Sequence, residues 1–187
     1  MILEILGFRM LPPYFGYSIH VWGSPLRIVM VALSGGYYFG GMLADRRPDR
    51  RVLYLLVLVA AAYGFFLLFA YPAILGFAAG FGLVPGSLLA TALLFAVPMT
   101  TLSTVSPFII RLLAREGRVG SAAGTIYAIS TCGSIVGTFA TSFYLIPTFG
   151  TRASLQVSCI ILALVAGLGL LGSVGRVAEP EPASTPR

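Results

Sequence analysis

The sequence predicts an all-α fold, a polytopic transmembrane helix bundle of about six spans. Apolar residues make up 58% of the 187 residues and charged residues 10%, and the mean hydropathy is +0.95. A water-soluble core of this length could not bury so many apolar side chains, so the bilayer must be the solvent for most of the chain. A hydrocarbon core of ~30 Å takes roughly 20 residues per helix, which leaves no length for a soluble domain.

The first apolar segment is short. As a helix, residues 2–11 would rise only about 15 Å, half of a bilayer, before Pro12 and Pro13 stop it. The next two spans are predicted at residues 21–44 and 52–71. Glycines and prolines then predict a partly apolar loop over residues 72–87, re-entrant or lying at the interface.

Three further spans follow this loop. Pro98 and Pro107 predict a kink within the span at residues 88–114. Residues 147–150 predict the turn between the last two spans. The transmembrane domain therefore covers residues 1–175, with its last spans at residues 88–114, 122–146 and 153–171, and a disordered cytoplasmic tail at residues 176–187.

The net charge of +6 comes from arginine, because the chain has no lysine. Most arginines lie in clusters beside apolar runs, which is typical of topology signals and not of nucleic-acid binding. One side of the membrane receives these clusters, and the other keeps mainly Arg152. The positive-inside rule then predicts a multi-pass protein of the plasma (inner) membrane with a cytoplasmic C-terminus and anionic lipid as a partner. The clustered arginines are Arg46, Arg47, Arg50, Arg51, Arg111, Arg115, Arg118 and Arg176.

Small residues recur four positions apart in several spans. Gly36 and Gly40 form one such pair, and Gly133 and Gly137 form another. Ser130 and Ser134 lie on an adjoining ridge of the second span. This spacing lets helix backbones approach closely and lets hydroxyls bond across the contact. Two interpretations stay open: close helix packing, or a substrate path lined by hydroxyls.

Ionisable side chains near the first span are further candidates. Glu4 and Arg9 are costly to bury in a membrane, so a functional role is the default hypothesis. The alternative is a structural ion pair, or side chains that reach back to the interface. His20 lies beside Trp22 at the predicted outer boundary, where it serves either as an interfacial polar residue or as part of a site.

The sequence offers little material for catalysis or metal binding. It has six acidic residues and one histidine, and none of the common metal or nucleophile motifs. Cys132 and Cys159 both fall inside apolar segments, which predicts small buried hydrophobes. The glycine run at residues 167–172 matches a dinucleotide fingerprint, but no strand precedes it. We therefore predict no catalytic residues, no metal and no cofactor, and we expect the chain not to be an enzyme.

An ordered series of motifs runs through both halves of the chain. The first half carries Pro13-Tyr14-Phe15-Gly16, Val21-Trp22-Gly23-Ser24, Gly36-Tyr37-Tyr38-Phe39-Gly40-Gly41 and Leu43-Ala44-Asp45-Arg46. The second half carries Ser106-Pro107-Phe108, Arg111-Leu112, Tyr127-Ala128, Gly133-Ser134 and Ile146-Pro147. In this order, over roughly residues 1–175, they resemble the membrane domain of the fused spermidine synthase-like integral membrane proteins. Residues 40–47 also resemble a cytoplasmic loop signature of major-facilitator transporters.

This resemblance implies a fold similar to half of a major-facilitator transporter. It also implies a non-catalytic membrane subunit, which anchors a cytosolic aminopropyltransferase-like partner or passes a small molecule to or from it. The alternatives are a small transporter acting as a homodimer of half-transporter units and, third, an intramembrane enzyme. Polyamine as the ligand is disfavoured, because a polycation needs acidic partners in the membrane. The implied functional residues are Tyr14, Trp22, Tyr37, Tyr38, Arg111 and Tyr127, with conformational contacts at Asp45 and Arg46.

Overall fold

The chain is helical over the residues that its computed structural model describes, 2–113 and 119–175, with side chains described as far as residue 172. The predicted tail, Arg115, Arg118 and Arg176 lie outside these residues. The helices are α1 (Ile2–Met10), α2 (Pro12–Phe15), α3 (Ile19–Arg46), α4 (Arg50–Ala79), α5 (Leu83–Thr91), α6 (Val97–Ser103), α7 (Val105–Leu113), α8 (Val119–Phe139) and α9 (Ile146–Gly175), with π-helical segments at Ala92–Ala96 and Ala140–Leu145.

Four continuous helical stretches are long and apolar enough to cross a membrane: Ile19–Arg46, Arg50–Ala79, Leu83–Leu113 and Val119–Gly172. At 1.5 Å per residue, a helix of 30 residues is about 45 Å long and exceeds the hydrocarbon core. The last stretch is not straight, because Gly150 has non-helical dihedrals (φ 79°, ψ 172°). Gly150 therefore divides it into two rods, residues 119–149 and 151–175.

Close contacts fix the directions of the central helices. The Oγ atoms of Ser24 on α3 and Ser87 on α5 lie 2.8 Å apart. Further along both helices, a Cβ on Gly40 would lie 2.7 Å from the Cα of Thr104. Contacts thus advance together along the chain, so α3 runs parallel to α5, α6 and α7.

The second rod of the last stretch runs antiparallel to α4. A Cβ on Gly64 would lie 2.4 Å from the Sγ of Cys159, and a Cβ on Gly169 would lie 2.1 Å from the Tyr54 ring. As residue numbers fall along α4, they rise along its partner. One end of the bundle, called here the arginine-rich end, therefore contains residues 45–51, Arg111 and the end of α9.

Helix α1 occupies about half of the bundle's depth. At its start, the side chain of Ile2 lies 3.6 Å from a Cβ placed on Gly137, near the middle of the bundle. Gly7 packs against the ring of Phe95, and α2 follows toward the end opposite the arginines. Nine residues rise about 13 Å, so α1 connects the middle of the bundle to that opposite end.

Packing is uneven between the helices. The main core contains fully buried side chains from α1, α4 and α5, such as Leu6 and Leu75, and a smaller cluster surrounds Phe108. By contrast, none of the side chains of α8 is buried. The bundle thus consists of a closely packed part and one loosely attached helix.

The prediction of a loop over residues 72–87 is wrong. Helix α4 continues through Pro72 to Ala79, and α5 begins at Leu83. The turn is short because Gly82 adopts φ 87°, and Gly86 lies against the backbone carbonyl of Ala78. Proline is tolerated inside membrane helices when neighbouring groups satisfy the freed carbonyl, so its presence did not mark a helix end.

Pro98 does coincide with an irregular helix. It directly follows the π-helical segment Ala92–Ala96, and it has no N–H to offer to the preceding turn. The hydroxyl of Tyr63 on α4 donates a hydrogen bond to the carbonyl of Leu93 in this segment. Leu93 lies five residues before Pro98, so in the π-helical register its carbonyl is the one that an N–H at residue 98 would reach, and the neighbouring helix supplies that hydrogen bond instead.

Candidate functional site

A cavity of about 500 Å³ lies at mid-depth in the bundle. It is lined by the start of α1, the middle of α3, α6 and α7, the second half of α8, and the rod that follows Gly150. We call it the mid-depth cavity. Its lining residues are Ile2, Leu3, Leu33, Tyr37, Met99, Leu102, Ser103, Ser106, Ser130, Gly133, Ser134, Gly137, Ser158, Ile161 and Leu162.

Five serines and one tyrosine bring hydroxyls to this cavity. Two of the serines already bond within their own helices. Ser103 Oγ donates to the carbonyl three residues earlier at 3.0 Å, and Ser158 Oγ donates to the carbonyl four residues earlier at 2.9 Å. The other three form no hydrogen bond with a described residue: Ser106, Ser130 and Ser134.

The chemistry of the lining is neutral. Among the described residues, no acidic or basic side chain lines the mid-depth cavity. A hydroxyl in apolar surroundings costs free energy unless it finds a partner, so the three serines favour a molecule with hydrogen-bonding groups. The volume lies within the ~300–1,000 Å³ of small-molecule sites. The arrangement can therefore hold an uncharged polar molecule.

Gly36 and Gly40 lie where α3 approaches α6 and α7 most closely. A Cβ on Gly36 would lie 1.7 Å from Ser103 Oγ and 2.3 Å from the carbonyl oxygen of Thr100. The corresponding contact at Gly40 is with Thr104. No larger residue fits at either position without moving a helix.

The second glycine pair has a different environment. No described neighbour lies within 4 Å of a Cβ placed on Gly133, and the nearest to Gly137 is Ile2 at 3.6 Å. The close packing predicted for Gly133, Ser130 and Ser134 is thus not formed by the described residues. The physical reason is that the mid-depth cavity separates this face of α8 from α3 and α9.

An ion pair joins two helices at the arginine-rich end. Arg111 Nε donates to Asp45 Oδ1 at 3.0 Å, with the two side chains 52% and 71% exposed. The pair links the C-terminal ends of α3 and α7. Arg46 lies beside it and is exposed. The structure therefore brings together Asp45 and Arg111, which the sequence singled out separately.

The other predicted site residues lie apart from the mid-depth cavity, except Tyr37. Trp22 stacks on Phe8 with ring centroids 5.1 Å apart, and His20 is exposed near the same end. Tyr38 and Tyr127 are exposed on the surfaces of α3 and α8. Glu4 is half-buried on α1.

A second pocket, of about 230 Å³, lies at the end opposite the arginine-rich end. It brings together Arg9 and Tyr14 with three further polar residues that the sequence did not mark as candidates, Tyr71, Thr151 and Arg152. We call it the two-arginine pocket. Its lining residues are Arg9, Met10, Pro13, Tyr14, Tyr71, Thr151, Arg152 and Leu155.

No family model, no curated protein and no solved structure matches this chain. The resemblance to the spermidine synthase-like membrane proteins therefore stays a prediction. Among the residues described, no three of His, Cys, Asp and Glu lie together as metal ligands would. The neutral cavity and the ion pair are the features from which a function can be argued.

Sequence reasoning missed several lining residues. Ser103 and Ser106 are three apart, which places them on one face of the same stretch, and Ser154 and Ser158 repeat at four. That spacing was a usable signal. It was weak because each serine belongs to a different helix from Ser130 and Ser134, and nothing in the sequence shows that these helices meet.

Proposed function

We propose that the chain is a multi-pass inner-membrane subunit of a spermidine synthase-like system. In this proposal it binds a small uncharged molecule in the mid-depth cavity and passes it to or from a cytosolic aminopropyltransferase-like partner. The mid-depth cavity, with its three serine hydroxyls that lack a described partner, carries the proposal. An anchor alone needs no such cavity, since voids forfeit packing contacts.

The architecture we propose has six crossings and resembles half of a major-facilitator transporter. The half-length α1 with α2 counts as the first, followed by α3, α4, the stretch from α5 to α7, and the two rods on either side of Gly150. The positive-inside rule places the arginine-rich end in the cytoplasm. The antiparallel packing on α4 brings the end of α9 to the same side, where a soluble partner would meet it.

The neutral lining narrows the class of molecule. A polyamine carries several positive charges and needs carboxylates at membrane depth, which the mid-depth cavity lacks. An uncharged or weakly polar molecule with hydrogen-bonding groups suits the three serine hydroxyls that have no partner among the described residues. A substrate or product of the partner that carries no net charge is therefore the proposed cargo.

The test uses two glycines on opposite faces of α8. Gly133 and Gly124 are nine residues apart, which is half a turn beyond two full turns at 100° per residue. Neither has a described neighbour within 4 Å of a Cβ. Gly133→Leu therefore extends a side chain from the cavity lining with an unobstructed Cβ, and Gly124→Leu adds the same side chain on the opposite face of α8.

Both variants and the wild-type chain are purified in mild detergent, and mass spectrometry measures the soluble proteins and small molecules that co-purify. We expect all three to retain a stoichiometric aminopropyltransferase-like protein. Gly133→Leu should lose a small molecule that Gly124→Leu keeps. Absence of any soluble partner from the wild type would refute the subunit, and equal retention of the molecule by both variants would refute the cavity as its site.

The exposure of α8 favours a second candidate, a homodimer of half-transporter units. The face of α8 opposite the cavity carries Gly120, Gly124 and Ala128 four apart, and no described neighbour lies close to either glycine. Small residues at this spacing are typical of helix contacts in membranes. If two copies meet there, Cys132 should form an oxidative cross-link that Gly124→Leu abolishes, and proteoliposomes should take up solute only when the dimer is present.

A further inference from the structure

We infer that the two-arginine pocket is a binding site for an oxyanion, either a phosphate or a carboxylate group. It lies between the end of α1, α2, α4 and the start of the rod that follows Gly150. This inference does not depend on the proposed function, because none of its residues lines the mid-depth cavity.

Its charge is the first argument. Arg9 and Arg152 both line the pocket, and no acidic side chain of the described residues does. Neither guanidinium forms an ion pair or a hydrogen bond with a described residue. Both arginines are exposed at this pocket, and an anion bound there is attracted to both positive charges. The planar fork of arginine matches the geometry of carboxylate and phosphate oxygens.

The remaining polar residues are also donors. Tyr14, Tyr71 and Thr151 line the pocket, and their hydroxyls form no hydrogen bond with a described residue. A hydroxyl can accept as well as donate, but a guanidinium only donates. Five of the lining side chains can thus donate hydrogen bonds. This arrangement suits an oxyanion and not a cation.

The backbone adds to the same preference. Because Gly150 departs from helical dihedrals, a new rod begins at Thr151, inside the lining of the pocket. The first turn of a helix has N–H groups without a partner in the helix and a partial positive charge. Anions are favoured at such a place.

The distribution of arginines between the two ends of the bundle also supports an anion site. Among the described residues, three arginines lie in the half of the bundle away from the arginine-rich end: Arg9, Arg27 and Arg152. The positive-inside rule disfavours arginine on that side. Two of the three nevertheless share one pocket, so their presence there has a local reason.

The size of the pocket fits a single headgroup. A volume of about 230 Å³ corresponds to roughly eight water molecules at ~30 Å³ each. It is below the ~300–1,000 Å³ of sites for drug-sized molecules. The oxyanion belongs either to the headgroup of an anionic lipid or to a free ion, and the chemistry of recognition is the same.

The experiment measures binding to the purified full chain. Native mass spectrometry counts retained phosphatidylglycerol against phosphatidylcholine, and thermal unfolding in phosphatidylcholine nanodiscs measures the effect of added inorganic phosphate. We expect phosphatidylglycerol to be retained in preference to phosphatidylcholine. Arg9→Gln and Arg152→Gln should each weaken retention about tenfold, as the loss of a charge-assisted hydrogen bond does.

Arg27→Gln is the matched control, because Arg27 is an exposed arginine of the same half that does not line the pocket. It should retain the lipid as the wild type does. Arg152→Lys, which keeps the charge but loses the fork, should fall between the wild type and Arg152→Gln. Stabilisation by inorganic phosphate that competes with the lipid would identify a free anion as sufficient, whereas an effect of lipid alone would identify the headgroup as the source. Equal losses in all three glutamine variants, or no preference for either anion, would overturn the inference.

Discussion

The contact between α4 and the rod after Gly150 predicts that a methyl group at residue 64 destabilises the bundle and that removing one sulfur atom reverses the effect. A Cβ on Gly64 would lie 2.4 Å from Cys159 Sγ but 3.8 Å from Cys159 Cβ. Cys159 is 2% exposed, so its sulfur has no solvent into which to move. Gly64→Ala therefore overpacks this contact, and Gly64→Ala with Cys159→Ala does not.

The magnitudes follow from these distances. Overpacking a closely packed contact costs about 1–3 kcal/mol. Alanine in place of glycine within a helix returns about 0.5–1 kcal/mol. Cys159→Ala alone removes one buried heavy atom, worth about 1 kcal/mol. In the double variant the two Cβ atoms lie at van der Waals distance, so the coupling free energy should favour it by about 1–3 kcal/mol.

The assay is reversible unfolding by sodium dodecyl sulfate in mixed micelles, followed by circular dichroism. Gly76→Ala on α4 is the control, because no described neighbour lies within 4 Å of a Cβ there. Its free energy of unfolding should rise by the helix preference of alanine over glycine, about 0.5–1 kcal/mol, without the overpacking cost. Single-variant effects that add to within about 0.5 kcal/mol in the double variant would refute the reasoning.

Two further predictions concern polar contacts between helices. Tyr63→Phe should lower the free energy of unfolding by about 0.6–1.7 kcal/mol, because the Leu93 carbonyl loses its donor. In a Pro98→Ala background, which restores a backbone N–H, Tyr63→Phe should leave the free energy of unfolding almost unchanged. A loss as large as in the wild-type background would show that Tyr63 does not replace a donor that Pro98 lacks. Asp45→Asn and Arg111→Gln should each cost at most about 1 kcal/mol, because their ion pair is exposed to solvent. Their coupling, measured by the same unfolding assay, should fall as salt is raised, and a salt-independent coupling would contradict an exposed pair.

Hydropathy predicted the membrane character of the chain, because a bilayer demands about 20 apolar residues per crossing and few soluble proteins supply them. It also placed the cores of α3 and α4. It failed at residues 72–87, because the sequence alone does not show whether Pro72 ends a helix or lies inside one. Only the packing of Gly86 on Ala78 shows that the turn is short.

The candidate sites were harder to predict than the spans. Gly36 and Gly133 belong to the same four-residue pattern, but one contacts a neighbouring helix and the other borders a cavity. Spacing describes one helix and says nothing about its partner. For the same reason, Asp45 and Arg111, 66 residues apart, could be named individually but not as a pair.

The uneven packing of α8 has a mechanical consequence. Helices α3, α6 and α7 touch through backbone at Gly36 and Gly40, so sliding one past another would drive atoms into each other. Helix α8 buries no side chain, so displacing it breaks little apolar contact. Thermal motion of the bundle should then concentrate in α8, whose Ser130 and Ser134 form part of one cavity wall. Of the described helices that line the cavity, α8 should therefore move most easily, and its displacement would change the cavity's volume.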